Sequence, residues 1–229
     1  MRIRPVGAHA LLLDVDAPAD LPVSALVEAW RAELWRRREH GDLTAVEIVP
    51  AASTVLLDGL PDPSATAALL SDWATTVTEA GDAGRSDAGR SDAGPGGDDS
   101  VDRDAEVVVS VDFDGPDLPA VAEHWGVDVP AVLRRLTGTR FRVAFCGFAP
   151  GFPYLTGLPA ELALPRLTTP RPRVPAGSVA LAGPYAGIYP GASPGGWLLV
   201  GRTDLVLFDV HIDPPARLTP GTRVRLAAA

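Results

Sequence analysis

The chain has 229 residues, 46% of them hydrophobic, which suits one large or two modest packed domains. Its 20 basic residues face 29 acidic ones, a formal charge of -9 that argues against nucleic-acid binding, since that needs a basic stripe to displace counterions. A lone cysteine, Cys146, excludes an intramolecular disulfide framework and a cysteine-cluster zinc site, and the absence of lysine excludes lysine Schiff-base chemistry.

The opening MRIRPVGAHALLLDVD joins charge to a short apolar stretch that meets Asp14 and Asp16 at once. Without a small-residue cleavage site it reads as a first strand over residues 2–15 and not as a signal peptide. No run approaches the roughly 20 apolar residues of a membrane-spanning helix, so a cytoplasmic protein without a membrane partner is expected. Asp20-Leu21-Pro22 then opens a helix carrying Leu26, Val27, Trp30 and Leu34 at helical spacing. It ends on Arg36-Arg37-Arg38, where basic residues complement the helix dipole, a simpler reading than a phosphate site.

Strands at 45–49 and 54–57, a helix at 64–78 and a strand at 106–111 follow. The resulting β-α-β-β-α-β order is that of a ferredoxin-like split βαβ unit. Residues 1–80 plus 104–112 are therefore expected to form an α/β domain. Residues 81–103 interrupt it with the repeat DAGRS-DAGRS-DAGPGGDDS, which has no apolar side chain larger than alanine. Such a stretch cannot bury enough surface to offset its ordering entropy and reads as a disordered insert. It lacks the GxxxxGK[ST] pattern of a phosphate-binding loop.

Two short helices come next, at 118–125 and 129–136, the second capped by Asp128 and ended by Gly138. Beyond Phe141 helical periodicity gives way to short apolar runs punctuated by Gly and Pro, at 141–148, 178–182, 197–200, 205–210 and 223–226. Many short strands with frequent turns predict a barrel or sandwich over residues 113–229. The fold class expected is α+β.

No HExxH, GxSxG, CxxC or P-loop is present, and His9, His40, His124 and His211 are scattered, so no metal site is expected. Cys146, within FRVAFCGF, reads as a small buried residue in preference to a nucleophile. The densest features are Gly/Pro/aromatic loops: Gly147-Phe148-Ala149-Pro150-Gly151-Phe152-Pro153-Tyr154-Leu155, then Val174-Pro175-Ala176-Gly177-Ser178-Val179, then Gly187-Ile188-Tyr189-Pro190, then Ser193-Pro194-Gly195-Gly196-Trp197 and Gly201-Arg202-Thr203. Glycine lets a ligand approach the main chain, and such loops can offer backbone N–H groups to a carboxylate, phosphate or oxyanion. They serve equally as barrel corners and tight turns.

In this order and spacing, FxPGFPYL, VPAGSV, GIYP, SPGGW and GRT resemble the family of the B-type 5-oxoprolinase subunit, which also goes by allophanate hydrolase subunit 1 and by the KipI-type sporulation-kinase inhibitors. The resemblance implies an N-terminal α/β domain and a C-terminal cyclophilin-like β-barrel. It implies two partners, a larger C-type 5-oxoprolinase subunit together with an amidohydrolase-like A-type subunit. The three would cleave the lactam 5-oxo-L-proline to L-glutamate with ATP. On this view Phe148, Gly151, Phe152, Tyr154, Ser178, Tyr189, Trp197, Arg202 and Thr203 line the substrate pocket. Arg202 would neutralise a carboxylate or phosphate, its plainer role being an exposed turn charge, and no catalytic residue is assigned. The chain departs from the family pattern at Leu136, where many members have histidine, at Tyr185-Ala186, where Gln-Thr is common, and in the pentapeptide repeat. Two other readings remain: a regulatory module of the histidine-kinase-inhibitor type that needs no chemistry, and a carboxyltransferase-type module of an allophanate/urea amidolyase system. The last is weaker, because no biotin-carrier or ATP-grasp segment is present.

Overall fold

Gly7, at a φ of 66°, turns the chain back on itself. The single strand expected over residues 2–15 is therefore a hairpin, β1 (Arg2–Val6) against β2 (Ala10–Asp14). The computed structural model describes residues 1–17, 23–83 and 106–229, in two compact units, Met1–Ser100 and Val101–Ala229.

In the first unit, Leu11 and Leu13 of β2 join Leu26, Val27, Trp30 and Leu34 of α1 (Val23–Glu39) in one core. With β3 (Glu47–Pro50), β4 (Thr54–Asp58) and α2 (Pro63–Ala83) they make a four-stranded sheet in the order β1-β2-β4-β3, antiparallel throughout. β2, α1 and β3 form a split βαβ unit with β4 inserted between the strands. The outer place beside β2 belongs to β1, so the expected β-α-β-β-α-β order is not the one observed. The strand expected there, at 106–111, pairs instead in the second unit, because the unforeseen hairpin already covers that edge of β2.

The arginine run is engaged within this unit. Arg36 and Arg37 both bond the carboxylate of Glu33, Arg38 lies over the Trp35 ring at 3.9 Å, and Arg37 lies over Trp73 at 4.6 Å. α2 continues to Ala83, into the segment expected as an insert; residues 84–103 of that segment lie outside the described residues.

The second unit holds a seven-stranded sheet in the order β12-β9-β10-β7-β6-β13-β5. Its strands are β5 (Val107–Val111), β6 (Arg140–Cys146), β7 (Pro153–Thr156), β9 (Ser178–Ala182), β10 (Tyr185–Ile188), β12 (Leu198–Arg202) and β13 (Arg223–Ala228). A two-stranded ribbon of β8 (Arg171–Val174) and β11 (Ser193–Gly195) stands apart from it. The sheet is nearly closed into a barrel: beyond β5, Asp112 exchanges two 2.9 Å backbone hydrogen bonds with Arg202 at the end of β12. Residues 205–210, expected as a strand, supply only an isolated bridge from Phe208 to Ala216.

Two helices serve the barrel core. In α3 (Leu118–Trp125) and α4 (Val129–Gly138), the residues Leu118, Val121, Trp125, Val132 and Leu136 pack with Val109, Phe141, Val143, Leu155, Leu181 and Val224. Asp128 caps α4 by accepting from the Ala131 N–H at 2.8 Å. Gly126 ends α3 in the left-handed region, and α4 runs through Gly138 before Thr139 stops it.

Candidate functional site

Side chains alternate across a strand, so the sheet has a second face. Register places Phe145, Tyr154, Gly187, Ala180 and Leu199 in one row across β6, β7, β10, β9 and β12. The small residues in the middle of this row make a floor, and aromatic rings settle on it. A Cβ on Gly187 would come within 2.9 Å of both the Phe152 and Trp197 rings, so only glycine lets the rings lie against the strand. Phe145 stacks on Tyr154 with centroids 4.3 Å apart, and Phe152 meets Tyr154, Tyr189 and Trp197 at 5.1, 5.1 and 5.5 Å. Tyr185 closes the group edge-on against Tyr154 at 5.6 Å. Offset and edge-to-face pairs of this kind stabilise beyond the area they bury.

The Gly/Pro loops position these rings. In the first, Gly147 donates to the Phe152 carbonyl at 3.2 Å and Phe152 donates to the Ala149 carbonyl at 3.0 Å. Phe148 at its tip adopts a φ of 69°, an uncommon state for a non-glycine residue. Its side chain is 63% exposed, yet one side packs on Phe152 at 5.3 Å and Tyr189 at 6.2 Å. Gly151 fits against Phe208, where a Cβ would come within 2.7 Å. Across the sheet Gly177 and Thr203 are tied by a 2.9 Å hydrogen bond, and Tyr189 donates its backbone N–H to the Ser178 carbonyl at 3.0 Å.

Charge at this face comes from arginine. The Arg166 guanidinium sits 6.0 Å from the centre of the Trp197 ring and, among the described residues, has no carboxylate partner. Burial raises the titration points of Tyr154 and Tyr189, and the positive charge of Arg166 opposes that shift at both. Tyr185 is also raised, chiefly by burial. All three hydroxyls thus stay protonated near neutral pH and can donate. Arg171 is committed elsewhere: it bonds the buried Asp117 carboxylate at 2.8 Å, and the other carboxylate oxygen accepts from the Leu199 N–H at 2.6 Å.

Of the residues singled out in the sequence, Phe148, Phe152, Tyr154, Tyr189 and Trp197 come together, with Gly151 supporting their loop. Ser178 is buried beside them on β9. Arg202 is turned to the barrel seam, where it pairs with Asp112 at 3.3 Å and Asp114 at 3.0 Å. Thr203 spends its hydroxyl on the Leu205 N–H at 3.2 Å, a turn contact. Sequence reasoning missed Phe145 and Arg166, and noted Tyr185 only as a departure from the family pattern. Leu136 and Ala186 face the barrel core, so of the departures noted above only Tyr185 reaches the aromatic group.

Cys146 is pushed up to about 11 by burial, and its thiol donates to the Leu218 carbonyl at 3.2 Å. That is the chemistry of a packed thiol and not of a nucleophile. An open cleft of about 670 Å³ in the first unit, lined by Arg2, Arg4, Asp14 and Ser53 among others, contains none of the residues picked out above, and its Arg4 and Asp14 are paired at 2.6 Å. Among the described residues no group of His, Cys, Asp or Glu could hold a metal ion, and no helix is long and apolar enough to cross a membrane.

With this geometry in hand, known proteins give a consistent picture. A 111-residue stretch is 50% identical to the B subunit of 5-oxoprolinase from Escherichia coli O157:H7, covering 48% of this chain and 51% of that protein. The same length is 44% identical to the B subunit of 5-oxoprolinase from Bacillus subtilis (strain 168), covering 48% and 46%. The matched stretch thus spans about half the length of these curated relatives. The crystal structure of TTHA0988 superposes with a TM-score of 0.67 at 31% identity, over 97% of this chain and 40% of that one. Urea carboxylase of Kluyveromyces lactis shares the fold, with a TM-score of 0.60 at 20% identity over 99% of this chain and 21% of the enzyme. The sequence profile of the carboxyltransferase domain, subdomain C and D, matches residues 1–218. The chain belongs to that family.

Proposed function

We propose that this chain is the small subunit of an ATP-dependent 5-oxoprolinase, converting 5-oxo-L-proline to L-glutamate together with two partners, a larger C-type 5-oxoprolinase subunit plus an amidohydrolase-like A-type subunit. The observation that carries this reading is the assembly of Phe148, Phe152, Tyr154, Tyr189 and Trp197 on one sheet face. These rings come from the motifs that carry the family resemblance, and a 111-residue stretch of the chain is 50% identical to a relative named as the B subunit of 5-oxoprolinase. Phe152, Tyr189 and Trp197 are buried and support the site, while exposed Phe148 and the half-buried Tyr154 and Tyr185 leave aromatic surface and protonated hydroxyls for a small flat amide. Phe148, Gly151, Phe152, Tyr154, Ser178, Tyr189 and Trp197 are the pocket residues in this reading; Arg202, paired at the barrel seam, and Thr203, spent on a turn, stand outside it. The barrel is read as cyclophilin-like, and the protein as cytoplasmic.

The glycine loops run into strands and not into helix N-termini, and the start of α4 is satisfied by its own Asp128. In this reading ATP is used by the complex as a whole.

The test is 5-oxoproline-dependent phosphate release and glutamate formation by the complex that a tagged copy recovers from its host. Activity in the complex, absent from the isolated chain, supports the proposal. A complex built on a histidine kinase, with no release, favours the regulatory module, to which the exposed, left-handed Phe148 is the contributing observation.

A further inference from the structure

We propose that Phe148, Val206, Val210 and Ile212 form the docking surface for the larger C-type partner, which meets it with an apolar centre and a basic rim. This inference rests on the subunit reading above. All four side chains are exposed although large and hydrophobic, Val206 at 67% and Val210 at 71%. They come from two segments that touch: a Cβ on Gly151, in the loop that carries Phe148, would lie 2.7 Å from the Phe208 Cβ. Single exposed apolar residues are ordinary on a protein surface, whereas a group of them marks an interaction site.

The backbone explains why these residues face outward. Leu207 is buried in the barrel core, so its neighbours Val206 and Phe208 turn the other way. Phe208 bridges to Ala216, and Asp209 donates its N–H to the Pro215 carbonyl at 2.9 Å, which ties the segment down. Phe148 is held out by a left-handed backbone at a φ of 69°, a strain that gathers at functional sites. The rim is acidic. Asp204 and Asp213 are exposed and form no ion pair among the described residues. Asp209 adds a third carboxylate, against the single arginine of residues 204–217, Arg217. A complementary partner therefore carries basic residues around an apolar centre. The match to TTHA0988 takes in 97% of this chain but only 40% of that one, at 31% identity. The larger share of TTHA0988 is thus further polypeptide joined to this fold. A C-type subunit larger than this chain fits that share.

The experiment measures binding of the full chain to the C-type subunit of the same host by surface plasmon resonance, with a melting temperature for every variant. Val206→Glu and Val210→Glu, at positions too exposed to unsettle the fold, should each weaken binding at least about tenfold. Val46→Glu is the control. Val46 is as exposed, at 69%, but lies in the first unit, and this variant should stay within about twofold of wild type. Replacing Asp204 and Asp213 together by Asn should slow association and flatten its salt dependence. A C-type subunit that binds Val206→Glu and Val210→Glu as tightly as wild type would overturn the inference and leave the subunit reading intact. A C-type subunit that does not bind wild type would overturn both. A wild-type dimer that Val210→Glu converts to monomer, or a histidine kinase held through the same valines, would give the surface to another occupant and overturn the inference as well.

Discussion

Gly195 presses so closely on Tyr189 that a methyl group at this position would overlap the phenol hydroxyl. Gly195 belongs to the β8–β11 ribbon and Tyr189 lies just beyond β10, so this contact is how the ribbon fixes the ring. Gly195→Ala should displace Tyr189 and cost about 1–3 kcal/mol through overpacking. Turnover by the complex should fall with it. Thermal denaturation and steady-state assay of the variant would check both, and a fully active, fully stable variant would show that the ring position is not critical.

Asp117 is a second point of leverage. Its carboxylate joins Arg171 of β8 to the Leu199 N–H of β12, holding ribbon and barrel together. Asp117→Ala would leave a partly buried guanidinium and a buried N–H without their acceptor, at a cost of about 3 kcal/mol. The expected result is a melting temperature lower by roughly 10 °C. Asp117→Asn, which keeps one acceptor, should recover part of the loss.

Cys146 should be dispensable for chemistry. With its thiol pushed up to about 11 by burial, almost no thiolate exists at pH 8. Iodoacetamide should label the folded protein far more slowly than the urea-unfolded chain, with the rate rising only as the pH climbs toward 11. Cys146→Ser should keep turnover within about twofold, allowing for the 3.2 Å contact to Leu218 that the hydroxyl can inherit. A hundredfold loss with unchanged folding would reinstate a nucleophile.

Glu33 gives the first unit an acid-sensitive element. Hydrogen bonds from Arg36 and then Arg37 lower its titration point from 4.5 to about 2. Because the folded value is depressed, the stabilisation is present above about 4.5 and is lost as pH falls toward about 2. Urea midpoints across that range should decline more steeply for wild type than for Glu33→Gln. Parallel curves would mean that the pair contributes nothing.

The helices were legible in the sequence because their signals are local: Leu26, Val27, Trp30 and Leu34 on one face of α1, and Asp128 at the start of α4. The sheet was less so. Phe145 follows Phe141 and Val143 with perfect alternation, which assigns it to the barrel core. A bulge at Ala144, where Val143 and Phe145 face the adjacent residues Leu155 and Tyr154, turns Phe145 to the aromatic face and Cys146 toward the core. Strand order is equally non-local. Nothing between Val107 and Val111 announces a partner more than a hundred residues away. In the site, the motifs pointed to Phe152, Tyr154 and Trp197, but Arg166 lies in an exposed stretch with no motif of its own, and Arg202 was the more conspicuous arginine.

The place of β13 has a consequence for how the molecule is made. This strand, Arg223–Ala228, lies between β6 and β5, antiparallel to one and parallel to the other. As the chain leaves the ribosome, β5 and β6 emerge well before the strand that joins them and must wait until synthesis has passed Ala228. The first unit has all its strands and helices within Met1–Ser100 and can finish in the meantime. Completion of the seven-stranded sheet is therefore a late event for the nascent protein.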